Sequence, residues 1–116
     1  MHDYKQLKVW QKSMELVKDI YNVINKFPDF EKYALGSQMR RSVISIPSNI
    51  AEGAGRNSQN EFRLLLGYTN GSCYELETQL LIAKDQDYLD ESRYNEIIFK
   101  INEIQKMNFK LIKSIK

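Results

Sequence analysis

Four of the five arginines in this 116-residue chain, Arg40, Arg41, Arg56 and Arg63, fall within 24 residues of one another. A guanidinium is a planar fork of donors that fits a phosphate or a carboxylate with two parallel hydrogen bonds. The group therefore suits either an RNA backbone or the nearby carboxylates of Glu52, Glu75 and Glu77. Arg41, Ser45, Ser48, Glu52 and Arg56 recur at steps of three or four, which on a helix forms one polar stripe. Two uses stand side by side, an ion network within or between subunits and contact with a polyanion. Lys110, Lys113 and Lys116 crowd the C-terminal end, where positive charge also complements a helix dipole without any ligand.

Other chemistry finds few parts. Gly53-Ala54-Gly55 has the look of a phosphate-cradling loop, but such motifs need a preceding strand and a further glycine or a Gly-Lys-Ser/Thr after it, and neither is here. The glycines read instead as the end of one helix before another begins. The only histidine is His2, close to the terminus, so a Ser-His-Asp triad and a histidine metal site have no material. Cys73 is the only cysteine and falls on an apolar stripe, the setting of an inert buried thiol. The expectation is a protein with no catalytic residues, no metal and no cofactor.

Charge is uneven along the chain. Net charge is +2, yet residues 1–51 hold eight Lys/Arg against five Asp/Glu, residues 52–91 three against eight, and residues 92–116 six against two. Basic ends and an acidic middle serve either a polyanion or neighbouring helices and subunits. No run of about 20 apolar residues could span a bilayer, and MHDYKQLKVW contains no apolar stretch of signal-sequence type. With a lone cysteine as well, the expected location is cytoplasmic, with no membrane partner.

The elements that must position these residues are helical. Leu7, Trp10, Met14, Val17, Tyr21 and Ile24 step by three and four, predicting a first helix with that face inward, closed by Phe27-Pro28-Asp29. Leu35, Met39, Val43, Ile46, Ile50 and Gly53 predict a second, running to about Ala54. Pro47 inside it should kink the helix, or break it and let it restart. Ser58 and Glu61 form a capping box ahead of a third, whose stripe is Phe62, Leu66, Thr69, Cys73, Leu76, Leu80 and Ala83. Gly67 and Gly71 lie one turn apart beside that stripe, so a tight helix crossing is expected there. Asp90 caps a fourth helix with Tyr94, Ile97, Ile101, Ile104, Asn108, Leu111 and Ile115 inward. Asn108, the polar member, fixes register or partner choice, or sits at a wet bundle end. Connectors at 28–33, 54–58 and 86–90 make an all-α, antiparallel up-and-down four-helix bundle over residues 1–116 the simplest architecture, with its second helix kinked at Pro47.

Three stretches, LKVWQKSMELV, FPDFEKYALGSQMRRSVISIPSNIAEGAGR and EFRLLLGYTNGSCYELETQL, resemble the bacterial four-helix bundle family encoded in intervening sequences of 23S ribosomal RNA genes, also called S23 ribosomal protein. The segment Ile46-Pro47-Ser48-Asn49-Ile50-Ala51-Glu52-Gly53 carries the likeness most specifically. The resemblance implies a cytoplasmic bundle that assembles into a ring-like homopentamer without enzymatic activity. It also implies a relative, the accessory variability protein of diversity-generating retroelements, which works with a reverse transcriptase and nucleic acid through a basic surface. The expected partners are thus further copies of the chain, and RNA or a nucleic-acid-processing protein; a protein-interaction scaffold is the alternative.

Overall fold

The computed structural model describes residues 3–115, so His2 and Lys116 lie outside the described residues. After a single 3-10 turn at Tyr4–Gln6 come α1 (Lys8–Asn25), a one-turn α2 (Asp29–Lys32), α3 (Leu35–Ala54), α4 (Gln59–Asp85) and α5 (Glu91–Ser114). The four long helices run alternately up and down. α3 packs on α1 and α4, and α5 returns to close against α4 and α1, giving a body of 45 × 24 × 20 Å.

The caps follow the sequence. Ser58 Oγ accepts from the Glu61 amide at 3.2 Å and Asp90 Oδ1 from the Arg93 amide at 2.7 Å. The reciprocal half of the Ser58 box does not form, because the Glu61 carboxylate accepts from Arg56 instead. Asp87, with φ 62°, takes the left-handed position after α4, and Tyr88 N–H then reaches the Ala83 carbonyl at 2.9 Å. Pro47 lies within an unbroken α3, so the helix does not stop and restart there.

α3, α4 and α5 bury most of the stripes their periodicity picks out: Met39, Val43, Ile46, Ile50 and Gly53; Phe62, Leu66, Thr69, Cys73, Leu76, Leu80 and Ala83; and Ile97, Ile101, Ile104 and Asn108, while Leu35, Tyr94, Leu111 and Ile115 are half-buried. α1 differs from expectation. Its buried face is Val9, Ser13, Leu16, Ile20, Val23 and Ile24. Four of the expected core residues lie one position later, about 100° round the helix; of these, Met14 is 41% exposed and Tyr21 40%. The core face is hidden in the sequence by Ser13, which is fully buried and satisfied by donating to the Trp10 carbonyl at 2.8 Å. α1 is therefore apolar on two adjacent faces: one is buried, and on the other Leu7, Trp10 and Val17 pack half-buried against the core while Met14 and Tyr21 face outward.

The expected close crossing at Gly67 and Gly71 is also corrected: both are exposed, and a Cβ added at either would meet nothing within 4 Å. The tight approach occurs at Gly53, where a Cβ would lie 2.9 Å from the Phe62 ring and 3.2 Å from Leu65. That glycine lets α3 and α4 converge at their shared corner.

Candidate nucleic-acid interface

The arginines close in sequence are not close in space. Arg40 and Arg41 sit in the second turn of α3 and Arg56 just past its last, about 24 Å further along the axis. Arg40 donates to the Lys32 carbonyl at 2.8 Å and to Ser37 Oγ at 3.2 Å, fastening the end of α2 onto α3. Arg56 bridges Glu52 at 2.6 Å and Glu61 at 3.3 Å, pinning the α3–α4 corner. The hydrogen bond and charge of Glu52, then the charge of Glu61, push its pKa upward. Arg63 donates to Asn60 and, at 3.1 Å, to the Ile115 carbonyl, holding the end of α5 against the start of α4. Glu75 and Glu77 pair with none of these.

The polar stripe also turns to internal use. A hydrogen bond of 2.5 Å joins the hydroxyls of Ser45 and Ser72 across α3 and α4, while Ser48 donates to its own helix at the Ile44 carbonyl. Arg41 alone of the four arginines has no partner among the described residues. It lines a groove of about 600 Å3 between α3 and α4 with Ser45, Ser72, Glu75 and Gln79.

The largest gathering of free positive charge is at the other end of the bundle. Lys106, Lys110 and Lys113 are exposed on the last turns of α5 and make no ion pair among the described residues. The antiparallel register of α1 and α5 is fixed by Asp19, which accepts from Lys100 at 2.8 Å and faces Arg93 at 3.6 Å. Seven residues earlier Lys12 shares a crevice with Lys100 and Glu103. The same register carries Lys8 toward Lys106, and Lys8 is exposed and free of ion pairs among the described residues, as is Lys5 on the 3-10 turn that packs on α1 and α3. Lys5, Lys8 and Lys12 are functional candidates that motif reading missed. Their signal was the positive balance of both chain ends, which becomes a patch only once the topology brings α1 and α5 together.

Reactive groups are few. Burial, with some help from the charge of Glu77, pushes the Cys73 thiol up to about 12, so it stays protonated and unreactive near neutrality. No three His, Cys, Asp or Glu residues among those described are placed to hold a metal ion. No described helix is long and apolar enough to cross a membrane.

Two apolar surfaces reach solvent. Tyr4, Trp10, Met14 and Val17 face Ile44 and Pro47 across an open groove of about 290 Å3 between α1 and α3. On α4 Leu64 and Tyr68 form an exposed ridge beside the bare backbone of Gly67 and Gly71, and Glu75 separates them from Ile82 on the same side of the helix.

The family model of the 23S rRNA-intervening sequence protein matches residues 5–110. The fold is also that of a crystal structure of a protein with unknown function from the S23 ribosomal protein family of Bacteroides thetaiotaomicron. That protein is 27% identical, with a TM-score of 0.84 over 90% of this chain and 98% of the other. No curated protein matches the chain. The chain belongs to the 23S rRNA-intervening sequence protein family.

Proposed function

We propose that this member of the 23S rRNA-intervening sequence protein family is a non-enzymatic, cytoplasmic, oligomeric bundle that associates with RNA through its lysine-bearing end. The observation that carries the reading is the set of exposed lysines without ion pairs among the described residues at one end, Lys8 from α1 with Lys106, Lys110 and Lys113 from α5. Ammonium groups left free of carboxylates are the ones able to displace counterions from a phosphate chain. Repetition in an oligomer multiplies a weak patch into a strong one, because later contacts become intramolecular. The test is the affinity for an RNA hairpin as a function of salt. Affinity should fall linearly on logarithmic axes, and replacing Lys106, Lys110 and Lys113 with Gln should flatten the slope by roughly one for each phosphate that is no longer neutralised. No binding at low salt, or binding indifferent to salt, would overturn the reading.

The alternative, a scaffold for self-assembly and protein partners, is favoured by the α1–α3 groove and the α4 ridge. These surfaces differ from each other, and two unlike complementary patches on one chain associate head to tail, which closes into a ring when the rotation allows. The homopentamer implied by the family likeness is such a ring. In this reading apolar faces, not Arg40 and Arg41, hold the subunits together, and both readings can describe one molecule.

A further inference from the structure

The outward ridge of α5 has an unusual make-up. Phe99, Asn102, Lys106, Phe109, Lys110 and Lys113 fall within an arc of about 100° on the side of the helix opposite the buried Ile97, Ile101 and Ile104. Phe99 is 65% exposed and Phe109 47%. No carboxylate lies within that arc from Phe99 to Lys113. Glu96 and Glu103 flank it toward α1, and Glu96 is occupied by Arg93.

Other rings are more exposed, Phe30 at 75% and Tyr33 at 83%; what sets Phe99 and Phe109 apart is that they share one ridge with three lysines free of ion pairs among the described residues. The charges beside them select the chemistry of a partner. A protein or a second copy meeting this ridge would have to bring carboxylates to Lys106, Lys110 and Lys113 and an apolar surface to each ring. A single nucleic-acid strand brings both at once, since every nucleotide carries a phosphate and a flat π face. A duplex cannot, because its bases are stacked on one another and closed to side chains.

We propose that the α5 ridge is a stacking platform for unpaired RNA, with Phe99 and Phe109 each taking a base and the three lysines following the backbone. The rings are ten residues and about 15 Å apart along the helix, so they hold bases separated by a few nucleotides. Asn102, between them, offers an amide to a base edge without adding charge. The inference rests on the RNA association proposed above and narrows it to single strands.

The experiment measures fluorescence anisotropy of labelled oligouridine and of an RNA duplex of equal length, with wild type, F99A, F109A, the double variant and F99W/F109W. Removing the stacking of one ring should weaken oligouridine binding about tenfold, and of both rings more, with the duplex unchanged. The tryptophan variant should bind at least as well as wild type. Oligouridine affinity unmoved by the double substitution, or equal weakening on both probes, would overturn the platform while leaving salt-dependent RNA binding intact. A change of oligomer mass in light scattering for the double variant would also overturn it, since the rings would then bury against another copy. Absence of binding by the wild type to either RNA at low salt removes the parent reading along with this one.

Discussion

Asn108 Nδ2 donates to the Leu66 carbonyl at 2.8 Å, across the contact between α5 and α4, from a side chain with no exposed surface. The same amide nitrogen donates to Asn70 Oδ1 at 2.9 Å. Of the roles open to a polar residue on an apolar stripe, register within the bundle is the one it fills. Sliding α5 by a turn would strand the amide among Ile101, Ile104 and Leu66.

Asn108→Asp should therefore be costlier than Asn108→Leu, although Leu changes the chemistry more. Aspartate sets a carboxylate against two acceptors, the Leu66 carbonyl and Asn70 Oδ1, inside the core. A loss of about 3 kcal/mol or more at neutral pH is expected, against about 1–2 kcal/mol for leucine. Urea denaturation of the two variants checks the order; equal losses would mean the amide contributes only its volume.

The glycines divide by what surrounds them. Gly53→Ala pushes a methyl to 2.9 Å from the Phe62 ring, between two helices already in contact, and should destabilise by about 1–3 kcal/mol. Gly67→Ala and Gly71→Ala meet open space and should each stabilise the isolated protomer by up to about 1 kcal/mol, through helix propensity alone. If another copy packs its backbone against these glycines, the same alanines weaken assembly while raising protomer stability. Chemical denaturation at low concentration, set beside sedimentation at high concentration, separates the two effects.

Cys73 ties stability to alkaline pH. Its thiol ionises at about 12 in the fold against an ordinary value of 9.0, with burial the first cause and the charge of Glu77 the second. The folded state therefore holds the proton more tightly than the unfolded chain. That contribution is complete below pH 9 and drains away as pH rises from 9 toward 12. Unfolding free energy should fall with pH across this window, and Cys73→Ala should lessen the slope. A thiol reagent at about pH 8, below the ordinary thiol range, should leave native Cys73 unmodified and label it promptly in denaturant.

How far the sequence reveals this molecule depends on which relationship is asked of it. Faces of α3, α4 and α5 are legible because aliphatic residues at steps of three and four are bounded by polar ones, so each helix has a single way to turn. α1 offers two ways. Trp10, Met14, Val17 and Tyr21 form as regular a stripe as Val9, Leu16, Ile20 and Val23, and a serine in the core lane tips the reading toward the larger side chains. The arginine group misleads for a different reason: a helix is a rod, so residues 40 and 56 share a segment but stand at opposite ends. Lys8 and Lys106 reverse the case, distant in sequence and joined by antiparallel register, which no local motif encodes.

The second face of α1 is where assembly is most exposed to test. Met14 lines the groove against Ile44 and Pro47 and is 41% exposed, so a charge placed there disturbs little inside the protomer. Met14→Asp should leave helical content near the wild-type value while lowering the oligomer mass in light scattering, because a carboxylate sealed into an apolar interface without a partner costs several kcal/mol. Tyr68→Asp, on the α4 ridge, should act likewise if that ridge seats in the groove of the next copy. The mixture is the decisive measurement. In head-to-tail association each variant keeps one sound surface, so the two together should form pairs through the sound groove of one and the sound ridge of the other. In a two-fold interface, where the same patch meets itself, mixing restores nothing.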